Sequence, residues 1–448
     1  MLLLIVVPLA AVLVVTLPYW LPKAVVALRM WIFGRINGGE GLVLGSDGET
    51  FRRVYSHPAA DGRSRGAVLS DLFWYWLSPG PEMHQEHLEP GPRYEAVART
   101  TRAILAMPTA RAESLAGECA SRVLSELKSD GTQWVRLRDL MMPVWAEFFY
   151  EVVFDERCPR EARDLIVGNA NDVVTSLKCC GLRHLDVRLR LTAYLLEALK
   201  DGRIRHPLPD GLSPQECAYY LQGAFFNTAI VQMSEAMTHL LLVVAAHPGF
   251  AGRLDDDRFV SGLIDETFRM YPLFGIAHRI TSADIAVDER LTIPAGSVVC
   301  FDYPVYHRTG FDDPDRFDPQ RRFDRDSHHI PFGMPANRPC PAWRLAPVTM
   351  RAVLRETLRR FSLHSSAGHI RSIPNRGPCL LVPASHHTGQ KPRAALALMR
   401  LRDRWEDVSR SLTQLVLGTY MVWDARRLKP CQRYFDQSSR SPDQISKI

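Results

Sequence analysis

Lysine is scarce in this chain, and arginine supplies most of the 55 basic residues. Against 49 acidic residues they leave a formal net charge of +6. An excess so small and so dispersed argues against a nucleic-acid surface and suits an acidic partner or an anionic membrane. Cysteines paired at metal-ligand spacing are absent too. The nine cysteines stand at 119, 158, 179, 180, 217, 300, 340, 379 and 431. Their odd number and irregular spacing exclude a disulfide scaffold and point to a reduced, cytosol-facing body. No flavin or nicotinamide motif occurs, so any electrons a reaction needs come from another protein. There is no internal repeat and no low-complexity tract. What remains is ordinary for a globular protein with a large core: 448 residues, 46% hydrophobic and 23% charged.

Charge is missing altogether from Leu2 to Pro22, a run long enough to cross a bilayer. No basic residue precedes it, and Lys23, Arg29 and Arg35 follow. The positive-inside rule then puts the N-terminus in the lumen and the body in the cytoplasm. A cleaved signal peptide would need a basic start and a small-residue cleavage site, and both are poor here. Pro8, Pro18 and Pro22 weaken a straight helix without excluding a span. Residues 1–25 are therefore expected to form a single-pass transmembrane anchor.

Residues 36–93, rich in Gly, Pro and turn residues, predict short strands and a helix. Apolar periodicity then predicts helices over 94–107, 110–128, 137–154, 161–179, 185–201, 213–246 and 256–271. Pro108, the Ser129-Asp130-Gly131 turn, Pro159 and the prolines 207 and 209 separate them. The 213–246 helix is apolar almost all round, which predicts a central, buried element. Its length, with Gln222, Asn227, Gln232, Glu235 and His239 inside it, argues against a second membrane span. Strands are expected at 285–287, 291–293 and 298–301, then a Pro-, Asp- and Arg-rich meander to Phe323. A helix follows at about 341–360, its apolar face at Ala346, Met350, Val353, Leu354, Leu358 and Phe361. Short strands at 377–383 close the body.

The stretch His328–Ala346 places Cys340 after a loop of Gly, Pro and Asn and before an amphipathic helix. Arg338, Arg344 and the following helix N-terminus favour a thiolate, which is a good axial ligand for haem iron. A buried structural cysteine is the other reading. Upstream, Glu266 and Arg269 share one helix face at i, i+3. Solvated pairs of this kind contribute little. This one lies between apolar residues, and a buried pair needs a further partner, which Arg321 can supply.

The order is specific: a long apolar helix, a Glu-x-x-Arg helix, a strand pair carrying His278-Arg279, a Pro-Asp-Arg-Phe meander, a cysteine loop and a helix. It resembles the haem-thiolate monooxygenases, the cytochrome P-450 family, over roughly residues 94 to 385. The similarity is strongest over 260 to 361. Ile293-Pro294-Ala295-Gly296-Ser297-Val298-Val299, Tyr306-His307-Arg308 and Asp313-Pro314-Asp315-Arg316-Phe317 are close to that family's phrases. The resemblance implies a mainly α fold with small β-sheets and a long central helix over haem. It implies haem b as cofactor with Cys340 as its iron ligand, Phe332 shielding the sulfur, and Arg338 and Arg279 on the haem propionates. A third propionate cation would be Arg102, with Arg99 as the alternative. Ala98 stands where the family has an aromatic residue. Glu266, Arg269 and Arg321 would hold the loop in place and do no chemistry.

This sequence also departs from the pattern. Ala336 and Ala342 replace two loop glycines, Ala342 at a cofactor-contacting position. Phe332 lies eight residues before Cys340 where seven is usual. In the long helix the family carries an acid–alcohol pair that delivers protons to bound dioxygen. Counted back from His247-Pro248, those positions hold Val231 and Gln232. About a turn earlier, Asn227 stands beside Thr228. Thr228, Gln232 and Asn227 are thus the catalytic candidates, and helix-packing amides are the bland reading of Asn227 and Gln232.

The domains read as an anchor at 1–25, a haem-thiolate domain at 26–385 and a helical extension at 386–448. In the extension, Arg393 to Arg427 form an amphipathic helix with Leu398, Leu401, Trp405, Val408, Leu412, Leu415 and Val416 on one side. That side packs on the body, lies on the membrane or binds a partner, and packing is the expectation. Arg344, Arg351, Arg355 and Arg359 form either a basic face for an acidic reductase or a solvated helix face. The expected protein is a monomeric oxidoreductase in the endoplasmic reticulum membrane with no nucleic-acid partner. It would oxidise an apolar small molecule, a secondary metabolite for example, with NADPH acting only through a reductase. The alternatives are a reductase-independent isomerase, dehydratase or peroxygenase, and a catalytically silent haem-binding protein.

Overall fold

The computed structural model describes residues 2–37, 41–128, 131–386 and 392–438. Ser129 and Asp130 of the expected turn, and residues 387–391 and 439–448 of the extension, lie outside the described residues. Fifteen α-helices are described. They are α1 Leu2–Asn37, α2 Gly48–Ser56, α3 Val68–Leu77, α4 Pro92–Leu105, α5 Thr109–Ser125, α6 Leu137–Phe154, α7 Arg160–Leu177 and α8 Leu185–Lys200. Then follow α9 Pro214–Leu221, α10 Ala229–Ala246, α11 Asp257–Met270, α12 Tyr303–Tyr306, α13 Leu345–Arg360, α14 Arg393–Leu428 and α15 Pro430–Ser438. Stretch 36–93 departs from the expectation. It holds one strand and two helices, and the Leu72-Phe73-Trp74 run lies inside α3.

Helix starts follow local chemistry. Asp47 caps α2 by accepting the Glu49 and Thr50 amides, and Asp256 caps α11 through Arg258 and Phe259. Ser213 and Glu216 form a capping box at α9. From Pro214 the chain stays helical to Ala246, but Gln222–Thr228 winds as a π-helix between α9 and α10. This composite helix is apolar enough to cross a bilayer, yet it is buried in the body. Its charge is paired: Glu235 meets Arg138 of α6 and Lys178, each at 3.0 Å. Helix α6 packs along α10 and α13 along α5, and one apolar core joins these helices.

The sheets are small. Strand β1 (Leu42–Leu44) pairs in parallel with β6 (Val298–Asp302), which pairs antiparallel with β3 (Ile276–Ile280). Strands β2 (Gln133–Arg136), β7 (Phe361–His364) and β8 (Pro378–Pro383) form a second sheet, and β4 (Ile285–Ala286) with β5 (Thr292–Ile293) a hairpin. In the first sheet Arg279 faces Val299 across the ladder, which fixes where its side chain leaves the strand.

The extension packs on the body, but mostly not through the side its sequence suggested, of which Val408 is buried and Leu415 half-buried. Met399, Asp403, Ser411, Gly418, Met421, Val422 and Ala425 are buried, whereas Leu398, Leu401, Trp405, Leu412 and Val416 are exposed. Polar links explain the choice of face. Arg136 reaches Asp403 at 3.2 Å, and the Tyr75 hydroxyl donates to Asp424 at 3.0 Å.

Candidate active site

Cys340 sits at the end of a loop that turns back on itself. Its amide donates to the Phe332 carbonyl at 2.8 Å, which closes the loop. Gly333 makes the turn with φ +74°, and the Tyr55 hydroxyl lies 3.1 Å from where a Cβ would stand. The Phe332 ring meets Phe268 of α11 edge-on, 5.5 Å between centroids. Burial pushes the Cys340 thiol up to about 11, opposed by the Ala342 amide that donates to the sulfur. The cationic help expected from sequence does not arrive. Arg344 is exposed and lies over Trp343, and α13 begins only at Leu345. Such a thiol becomes a thiolate when a metal takes the place of its proton.

Three arginines converge nearby, Arg63 and Arg279 buried and Arg338 half-buried. Arg279 meets Glu86 at 3.0 Å and donates to the His278 carbonyl at 2.8 Å. Arg63 lies 3.8 Å from Glu86 and donates to Asn337 Oδ1 at 2.7 Å. Arg338 donates to the Leu88 carbonyl at 2.6 Å and covers the Tyr94 ring at 3.7 Å. Its φ of +52° is unusual for a side-chain-bearing residue, and these contacts hold it there. One carboxylate thus stands among three guanidinium groups. Burial raises the Glu86 carboxyl to about 7, with Arg338 pulling the other way. Arg63 Nε and Nη1 and Arg279 Nε find no hydrogen-bond partner among the described residues. Buried donors left this way favour a further anion.

Arg63 did not stand out in the sequence. It lies in a turn-rich stretch without periodicity, and its partner Asn337 is 274 residues away. No local signal could have marked it. Arg102 and Arg99, the expected third cation and its alternative, are both exposed on α4. The charge of Arg102 is felt at Tyr94, but among the described bonds it has none to this cluster.

The composite helix belongs to the apolar core on which Phe332 packs. Ala224, Thr228 and Gln232 recur one turn apart and are half-buried, whereas Asn227 and Val231 are buried. Asn227 Oδ1 has no partner among the described residues. Within the π-turn, the Phe226 carbonyl accepts from Asn169 of α7 at 3.0 Å. Gln222 donates to Asn169 Oδ1 at 2.9 Å and accepts from Thr192 at 2.6 Å. His84 packs on this turn, its Cβ 3.7 Å from where a Cβ on Gly223 would stand. The segment that leads to Glu86 therefore lies against the start of the π-turn.

Glu266 and Arg269 are fully buried. The carboxylate takes Arg269 Nε at 2.7 Å and Nη2 at 2.8 Å, with Arg321 Nε at 3.3 Å and the Asp318 amide at 3.0 Å. Arg269 also donates to the Pro314 carbonyl at 2.8 Å. This ties α11 to the meander that leads into the Cys340 loop. On α13 the basic face is largely satisfied internally. Arg351 pairs with Glu113 and Asp257, Arg355 with Asp257, and Arg359 with Glu356. Cys119, Glu147 and Glu151 also cluster, but Arg122 and Arg163 neutralise the carboxylates.

The family model for cytochrome P450 matches residues 258–388, the segment holding Glu266, Arg279, Arg321 and Cys340. The chain belongs to the cytochrome P450 family. This P450 is 31% identical over 166 residues to the putative cytochrome P450 135B1 of Mycobacterium tuberculosis, 34% of each chain. It is 32% identical over 246 residues to the mitochondrial cytochrome P450 11B2 of Mesocricetus auratus, covering 52% of this chain and 46% of the relative. The matched stretches thus span a third to under half of these relatives' lengths. Among solved structures, a six-coordinated P450 from Thermus thermophilus superposes with TM-score 0.59 at 17% identity, covering 81% of this chain and 96% of the other. A zebrafish P450 with progesterone superposes with TM-score 0.61 at 16% identity, covering 73% and 88%. These likenesses show the mainly helical P450 fold.

The family's cofactor is haem b, held through a cysteine thiolate. The donor set fits it. The half-buried Cys340 carries a backbone amide on its sulfur. Beside it, buried guanidinium groups with unmatched donors suit two propionates.

Proposed function

We propose that this P450 is a haem-thiolate monooxygenase with Cys340 as the iron ligand. It inserts one oxygen atom from dioxygen into an apolar small molecule with electrons from an NADPH-dependent reductase. The observation that carries this is the pairing of half-buried Cys340 with the Arg63, Arg279 and Arg338 cluster. Bound haem supplies dioxygen activation, which an electron-rich thiolate ligand favours. The chain's own residues do the rest. Arg63, Arg279 and Arg338 orient the propionates, and Ala342 tunes the sulfur through its amide. Glu266, Arg269 and Arg321 hold the meander and so the loop. Thr228, on the half-buried face of the distal helix, passes protons through held water, and Gln232 and Asn227 orient that water without supplying a proton themselves. The apolar character of α9 and α10 supports a lipophilic substrate, and the zebrafish neighbour carries progesterone. A secondary metabolite is the substrate class we favour. The uncharged run from Leu2 to Pro22 supports a seat at the endoplasmic reticulum membrane, with the body on its cytoplasmic side.

The second reading is a reductase-independent isomerase, dehydratase or peroxygenase. Two observations favour it: no carboxylate occupies the acid position beside Thr228, and most of the α13 arginines are paired within the body. The test is turnover of holoprotein on a substrate found by its binding shift, screened among terpenoid, polyketide and alkaloid intermediates. Monooxygenation requires NADPH and reductase together. Equal consumption of substrate without them would establish the second reading.

A further inference from the structure

The apolar residues of α14 that face outward form a continuous stripe. Leu398, Leu401, Trp405, Leu412, Val416, Tyr420 and Trp423 are all exposed. Their spacing keeps them on one side of the helix over about 37 Å, at 1.5 Å per residue. The stripe has a neighbour. The Tyr19 hydroxyl of α1 accepts from Arg404 at 2.7 Å, and the Tyr19 ring lies 4.8 Å from that guanidinium. Further along, Arg29 acts on Cys179, and Gln414 donates to the adjoining Lys178 carbonyl at 2.8 Å. Ten residues separate Tyr19 from Arg29 and ten separate Arg404 from Gln414, so the two helices run side by side in the same direction. From Val12 to Arg29, α1 is apolar enough to enter a membrane, and most of it is exposed or half-buried.

Helix α14 cannot tilt into a bilayer to follow a spanning partner. Its inner face is fastened near the start by Arg136 to Asp403 and near the end by Tyr75 to Asp424. Beyond it, Asp71 accepts the amides of Cys431 at 2.9 Å and Gln432 at 3.1 Å at the start of α15. We propose that α1 and α14 form one monotopic membrane-binding face, both helices lying in the headgroup boundary of an anionic phospholipid bilayer. This replaces the expected single pass of α1 with an in-plane seat. The aromatic residues suit that boundary: Tyr19, Trp20, Trp31, Trp405, Tyr420 and Trp423 are exposed along the two helices. The charge suits it as well. Helix α14 holds seven arginines against four acidic residues, a net +3, and the arginines attract anionic lipid.

The experiment uses the full chain with haem. Its partition onto vesicles of phosphatidylcholine, and of phosphatidylcholine with about a third phosphatidylserine, is measured by flotation. The triple variant Leu401→Glu, Leu412→Glu, Val416→Glu leaves α1 untouched and changes only exposed positions, so its haem spectrum reports intact folding. The proposal expects tighter binding to the anionic vesicles and at least a tenfold weaker partition for the triple variant. Trp405 fluorescence is then read with lipids brominated at a shallow acyl position against a Trp405→Phe control, and strong quenching of Trp405 is expected. Unchanged partition of the triple variant, or an unquenched Trp405, would overturn the in-plane seat in favour of a spanning α1. A stripe-dependent dimer that leaves the vesicles unbound would overturn it in favour of a second copy of this chain.

Discussion

Arg63 holds two donors, Nε and Nη1, that no acceptor meets among the described residues, although its side chain is 2% exposed. Its remaining nitrogen, Nη2, is fixed by Asn337, whose amide group is itself tied to the Tyr55 and Ala60 carbonyls. A fixed guanidinium of this kind is built for a carboxylate. Arg63→Ala should therefore weaken haem binding by about ten- to a hundredfold, the range of one lost charge-assisted bond. Titration of haem into apoprotein at the Soret band measures this, and an unchanged affinity contradicts the assignment. Glu266 makes a different case. Its removal leaves Arg269 and Arg321 without their shared carboxylate, so Glu266→Ala should cost about 3–5 kcal/mol of stability, read by urea unfolding. At this scale the sequence was unevenly legible. Glu266, Arg269 and Arg321 announce themselves through spacing and apolar neighbours. Arg63 does not, because its meaning lies in a contact across the fold.

The distal helix shows what elements add. Period and apolarity placed one long buried helix at 213–246, and the helix runs there. The π-turn at Gln222–Thr228 was hidden, because a π-turn depends on contacts from other elements. One such contact is Asn169, on another helix. Asn169→Leu should cost about 1–3 kcal/mol by stranding the Phe226 carbonyl, seen as a lower melting temperature with α-helical content retained. A variant as stable as the parent would show that the π-turn needs no such support. Helix α6 was legible residue for residue, since both its ends abut strongly different local patterns. Helix α14 was legible in extent but not in facing. Amphipathicity marks an apolar stripe without saying which surroundings receive it, and long-range polar links to Arg136 and Tyr75 settled the matter.

Across the whole molecule, burial keeps several histidines neutral. It pushes His239, His307 and His369 down to about 3 and His278 down to about 4. Each of these groups binds its proton more weakly folded than unfolded. Their contribution to stability is complete above the unfolded value of about 6.5 and is lost as pH falls towards 3–4. At pH 5.5 each costs up to about 1.4 kcal/mol relative to neutral pH. Urea unfolding at pH 7.5 and 5.5 should show a marked loss on the acid side, and equal stability at the two values would contradict it. Fold class was legible in the order of motifs, because that order reflects one arrangement of helices around one loop. The most direct test of the whole account is the carbon monoxide spectrum of the reduced holoprotein. Ligation by the Cys340 thiolate predicts the family's red-shifted Soret band in the parent and its loss in Cys340→Ser. A parent lacking that band, or a Cys340→Ser variant keeping it, would contradict the account.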